Sequence, residues 1–185
     1  MARDQYRIVI CERTVTLFSG VFYMDGLHML YTRRSIRRFK DDPIERDILA
    51  KIIKAGHLAA TARNIQPWQF VVIQDADLRR KIADMSTNGK FIADAPVCVA
   101  VFCEETKYYL EDGSAATENI LLAARYFKIG SCWVAGDKKP YVDDVRKLCG
   151  LAENHRLISL IALGYAQDAN DFSEKPLKNL GFNQL

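Results

Sequence analysis

Two apolar stretches constrain this fold more than anything else in the chain. "APVCVAVFCE", whose strand begins after Pro96, and "RLISLIALGY", Arg156 to Tyr165, read as buried strands. A third, "WQFVVIQ" from Trp68 to Gln74, follows a break at "NIQPW". The segments between them carry helical spacing. Asp42-Pro43-Ile44-Glu45 reads as a helix start, with Asp42 as cap, Pro43 at the first helical position and Glu45 at the capping-box position. Ile44, Ile48, Leu49, Ile52 and Ile53 give that helix one apolar face, running to about Ala59. Asp25 caps a short helix, "GLHMLYTRR", and Asp75 caps another through Met85. A long helix is expected from about Gly113 to Lys128, with Asp112 as its cap and Gly130 as its C-terminal glycine. "SCWVAG" is a short extended piece. "PYVDDVRKLCG" is a helix with Pro140 early and Gly150 past its end. Strands separated by helices mean α/β or α+β. Neither G-x-G-x-x-G after a strand nor G-x-x-x-x-G-K-[ST] occurs, so a standard dinucleotide fold and a P-loop lose support.

The chain has 185 residues, 49% of them hydrophobic, which fits one globular domain with a full core. No linker or repeat divides it. Residues 25–185 are read as the domain and 1–24 as an N-terminal extension. That extension resembles a signal peptide, but Glu12 and Arg13 interrupt its apolar part. An extra strand, a loose arm, or a natural start at Met24 are the open readings. No apolar run reaches the ~18 residues of a membrane span. Five cysteines, an odd number with no C-x-x-C spacing, argue against disulfides and zinc and for a reducing cytoplasm. His28, His57 and His155 are scattered and suggest no metal site.

Three segments carry chemistry. "TRRSIRRFKDD" packs Arg33, Arg34, Arg37 and Arg38 into six residues. Arginine forks and a serine hydroxyl suit a phosphate, and they equally suit a solvated helix end. Net charge is only +3, so the cluster is local, and a nucleic-acid role has little else behind it. "AATARNIQPWQF", Ala59 to Phe70, follows a helix with small residues, and Asn64 can both donate and accept. It suits a flat ligand or an ordinary loop in which Pro67 sets the turn and Trp68 enters the core. "GSCWVAGD", Gly130 to Asp137, can lay backbone along a planar ring or be a buried edge strand.

Taken in order, R-R-S-x-R-x-F, A-x-x-x-N-x-Q-P-W-x-F, G-S-C-W-x-x-G, "HRLISLIALGY" and the closing "EKPL" resemble the flavin-dependent nitroreductase family over about Asp25 to Leu177. The resemblance implies an α+β fold, a central, mainly antiparallel sheet flanked by helices, in an intertwined homodimer. FMN would lie at the dimer interface. Arg33, Arg34 and Ser35 would hold its phosphate and ribityl chain, and Lys175 would complete the phosphate site. Arg37 would reach the pyrimidine side of the ring. There it would stabilise the negative charge of reduced flavin and raise its potential. Ala60, Thr61 and Asn64 match positions that touch the flavin from the partner subunit, and Val134, Ala135 and Gly136 match the stretch beside N5. Lys90 sits near a ring-contacting position, and Tyr108 and Tyr109 border the pocket or pack. The chain departs from the family at Ala60, often proline, and at Glu174, often a second base.

The implied activity is hydride transfer from NAD(P)H through flavin N5 to a nitroaromatic, quinone or other small acceptor, by a ping-pong mechanism with no catalytic side chain. No nucleic-acid or membrane partner is expected. The alternative is a specialised flavoenzyme on the same scaffold: a heterocycle dehydrogenase, a reductive dehalogenase or a flavin-fragmenting enzyme. A non-catalytic flavin- or nucleic-acid-binding module is a third reading.

Overall fold

The computed structural model describes residues 26–174. Four strands, β1 (Trp68–Ile73), β2 (Val97–Glu104), β3 (Ile129–Ala135) and β4 (His155–Tyr165), form one sheet in the order β1-β2-β4-β3, every pair antiparallel. The two strongest apolar runs of the sequence become the two central strands. Their neighbours β1 and β3 carry exposed positions, as edge strands do.

Strand alternation divides the core in two. Val97, Val99, Val101 and Cys103 of β2 face α2 (Arg46–His57) and α4 (Tyr109–Tyr126). Cys98, Ala100 and Phe102 face α3 (Ala76–Met85) and α5 (Val142–Leu148). In β4 the alternation is broken once. Val101 pairs with Ser159 and Phe102 with Leu157, so Ile158 is the extra residue of a β-bulge. Ile158 packs with the α2/α4 cluster, and the Ser159 hydroxyl lies 2.8 Å from that of Thr117 on α4. Both therefore point the same way.

Several expected boundaries move. The helix expected at Pro43 begins at Arg46. Glu45 is the residue at its N-cap and makes no side-chain cap, and the first helical hydrogen bond runs from Leu49 to the Glu45 carbonyl. Ile44 is buried in the core ahead of that start, so the chain turns into the helix only after it. The helix closes at His57, close to the expected end. Asp75 does cap α3, accepting from the Leu78 N–H at 2.7 Å. The long helix starts at Tyr109, four residues before Gly113. Asp112 lies inside its first turn and does not cap it. Gly130 is no C-terminal glycine either. Lys128 takes the left-handed turn after the helix (φ 60°), and Gly130 sits in β3. A Cβ there would stand 3.0 Å from the Gly164 carbonyl oxygen and from Ile36 Cβ, so close approach is what requires the glycine. Gly150, at φ +69°, does follow α5 as expected. The short helix α1 spans Gly26–Thr32. Its expected cap Asp25, the proposed start Met24, and Lys175 lie outside the described residues.

Candidate functional site

The arginine segment leaves α1 and runs along the exposed edge of the sheet. Ile36, buried at 2% exposure, donates its N–H to the Ser131 carbonyl at 2.9 Å, and Ser35 bridges Ser131 in parallel. Further on, Lys40 N–H donates to the Tyr165 carbonyl, and Gln167 N–H to that of Arg38. The segment is thus strapped to β3 and to the end of β4.

That strap brings the first and third sequence segments together. Cys132 of β3 lies under it. Burial pushes the Cys132 thiol up, while Arg37, a hydrogen bond with Ser35, and Arg33 pull the other way. Beside them a cleft of about 340 Å³ is lined by Arg37, Met85, Phe91, Val134, Ala135 and Tyr141, among others. The Arg37 guanidinium stands 5.7 Å from the Phe91 ring centroid, and its Nη1 donates to the Ser35 carbonyl at 3.2 Å. Tyr141 donates its hydroxyl to the Ala135 carbonyl. Gly136 ends the strand. Its N–H is taken by the Ile158 carbonyl at 2.9 Å, and a Cβ would come within 2.6 Å of Leu157 Cγ. What Gly136 contributes is therefore close backbone approach and no free donor.

The other arginines divide. Arg33 Nε pairs with Glu118 Oε1 at 3.3 Å. Arg34 Nη1 donates to the Arg33 carbonyl at 2.6 Å, while its Nη2 is buried with no hydrogen-bond partner among the described residues. Arg38 and Lys40 are exposed and form no ion pair with Asp41 or Asp42.

The second segment is built separately. The buried carboxylate of Asp112 accepts from the Ala62 N–H at 2.8 Å and from the Thr61 hydroxyl at 3.0 Å. The Thr61 oxygen in turn accepts from the Gln66 N–H at 3.1 Å. Asn64 accepts from Gln66 Nε2 at 2.7 Å. Arg63, Asn64 and Gln66 all stand in the left-handed region (φ 56°, 56° and 54°), a conformation that only surrounding constraints maintain. None of Ala60, Thr61 and Asn64 lines the cleft. Within one chain the structure unites two of the three segments.

Lys90 turns away from the cleft toward α3, donating to the Asp84 carbonyl at 3.0 Å, and its neighbour Phe91 lines the cleft instead. Tyr109 donates its hydroxyl to Asp137 Oδ1 at 3.1 Å, and burial, then this bond, push its ionisation up. Tyr108 stacks on Lys107. Phe91, Tyr141 and Arg125 escaped the sequence reading. Tyr141 carried no signal beyond a place near a helix start. Arg125 did carry one: it is a charge four residues after the core residue Leu121, on the inner side of a helical repeat. Among the described residues there is no cluster of metal-ligating side chains, and no helix is long and apolar enough to cross a membrane.

A model of the Nitroreductase family matches residues 30–104 and 88–165. A protein of Archaeoglobus fulgidus, provisionally named NADH dehydrogenase/NAD(P)H nitroreductase, is 40% identical over 155 residues, covering 80% of this chain and 89% of its own. Among solved structures, an FMN-dependent nitroreductase of Clostridium difficile superposes with a TM-score of 0.75 at 26% identity, covering 86% of this chain and 99% of its own. A nitroreductase with bound FMN from Bacteroides fragilis gives 0.72 at 26% identity, covering 88% and 99%.

Proposed function

Because the chain belongs to the nitroreductase family, we propose that it is an FMN-dependent oxidoreductase taking hydride from NAD(P)H and reducing a small acceptor such as a nitroaromatic or quinone. The observation that carries this reading is the strap. It carries Arg37 and the backbone of Cys132–Ala135 on the wall of one cleft, and Arg33 and Arg34, which do not line that cleft, precede Arg37 on the same strap. A phosphate at the arginine end and a planar ring along the strand is the ligand shape that such a site accepts. The buried, unfilled Arg34 Nη2 supports the fit, since it requires an acceptor that the described residues do not supply.

In this reading Arg33, Arg34 and Ser35 hold the FMN phosphate and ribityl chain, with Lys175 closing the phosphate side. Arg37 stands at the ring, where its fixed charge favours an electron-rich flavin. Val134, Ala135 and Gly136 form the wall beside the ring, and Phe91 and Tyr141 limit its water access. When bound, FMN supplies the hydride chemistry, accepting from NAD(P)H and passing the electrons to the acceptor. No side chain is assigned a proton transfer. Ala60, Thr61 and Asn64 reach the ring from a second copy in a homodimer. The same loop exposes Leu58 at 72% and Ile65 at 50%, apolar surface that a second copy would cover.

Anaerobic stopped-flow mixing of the FMN-loaded protein with NADH and with NADPH tests the reading. At least one should bleach the oxidised flavin band, and a nitroaromatic or quinone should restore it. Failure of both nucleotides to bleach the flavin would overturn it.

A further inference from the structure

Arg125 lies on the core side of α4 and is only 8% exposed, yet it carries a full charge. A buried guanidinium ordinarily stands against a carboxylate, because an unpaired buried charge is strongly disfavoured and arginine cannot escape by losing its proton. Here no carboxylate is within ion-pair distance among the described residues. Arg125 Nε donates to the Thr32 hydroxyl at 2.9 Å, and the guanidinium stands 4.2 Å from the Phe172 ring centroid. The charge it feels is of its own sign. Burial first, and then Arg34, push Arg125 downward from its ordinary value.

Arg34 faces the complementary difficulty. Its Nη2 is buried without an acceptor, and the acid beside this segment, Glu118, is engaged with Arg33. Arg125 thus bonds to Thr32, two residues before Arg34, and neither Arg125 nor Arg34 has a carboxylate partner among the described residues. That arrangement is completed by an anion. Phe172 ties Arg125 to the C-terminal element, where Glu174 follows two residues later and supplies no positive charge.

We propose that Arg125 is a phosphate-binding residue of this chain, forming with Arg34 the inner wall of the site for the FMN phosphate. The assignment rests on the FMN reading above. Arg125 supplies from within the domain the positive charge that Glu174 does not supply at the C-terminal edge.

Affinities of FMN and of riboflavin, which lacks the phosphate, are measured by flavin fluorescence quenching on flavin-free wild-type protein and on Arg125→Gln. The wild type should prefer FMN. In Arg125→Gln that preference should fall roughly ten- to a hundredfold, the range of a lost hydrogen bond to a charged group, with riboflavin affinity nearly unchanged. Equal weakening of both flavins would mark Arg125 as a packing residue and overturn the proposal, as would an unchanged preference. Arg125→Lys keeps the stem and the charge in the core and serves if the glutamine variant does not fold. It should show an intermediate preference, and an unchanged one overturns the proposal as well. A wild type that binds neither flavin would instead sink the FMN reading itself.

Discussion

Arg33 and Arg38 lie five residues apart in one basic cluster, yet the fold gives them different surroundings. Arg33 is half-buried and fixed by Glu118, Arg34 holds an unfilled buried nitrogen, and Arg38 is exposed and unpaired among the described residues. Arg33→Ala and Arg34→Ala are therefore expected to lose FMN on gel filtration, read as a falling ratio of flavin to protein absorbance, while Arg38→Ala keeps it. Loss from Arg38→Ala as ready as from Arg33→Ala would show the cluster to be divided wrongly. The sequence supported this division because R-R-S-x-R is a local pattern. Arg125 was not legible in the same way. It lies 91 residues beyond Arg34, and only the packing of α1 against α4 brings the two together. Lys90 shows the converse. Its position near the cleft was legible, but its rotamer follows Asp84.

Among the elements, the loop from Ala59 to Pro67 depends most on one distant side chain. Asp112 takes both the Ala62 N–H and the Thr61 hydroxyl, and so holds a loop with three left-handed residues and no glycine. Asp112→Ala is expected to lower unfolding free energy by about 3 kcal/mol, two hydrogen bonds to a charged acceptor at the low end of about 1.5–3 kcal/mol each. Asp112→Asn, which keeps one acceptor oxygen, should lose less. Urea denaturation measures both, and limited proteolysis should find new cleavage within residues 59–67 of the alanine variant. The strands were readable because burial repeats along a few neighbouring residues. Helix starts were not. Asp42 and Asp112 both look like caps, but the first stands ahead of buried Ile44 and the second is turned toward a loop 50 residues away. Capping chemistry names residues able to cap, and tertiary contacts choose among them.

For the molecule as a whole, a core packed on both faces of the sheet encloses thiols. Burial pushes Cys98 and Cys103 up to about 12 and Cys149 up to about 11, from an ordinary 9.0. The folded chain keeps these protons where the unfolded chain releases them. Their contribution to stability is intact below pH 9.0 and is lost as pH rises toward 12. The urea midpoint under reducing conditions should therefore fall above pH 9, and Cys98→Ala should flatten that fall by about one proton's worth of slope, about 1.4 kcal/mol per pH unit. An unchanged slope in Cys98→Ala would show that this thiol ionises alike in both states. The two-sided core was legible in outline, since "PVCVAVFC" has no polar residue. The bulge at Ile158 was not, because nothing in "RLISLIALGY" marks which residue is extra.

The strap along β3 also bears on solubility. An edge strand is a template for a further strand, and chains commonly protect such edges with charge or with covering backbone. Here residues 33–40 do both, taking the Ser131 carbonyl and setting arginines along the border. The covering is made by the chain itself, so it persists in protein stripped of its ligand. Flavin-free protein should accordingly stay dispersed at concentrations where a chain with a bare β3 edge would grow fibrous contacts.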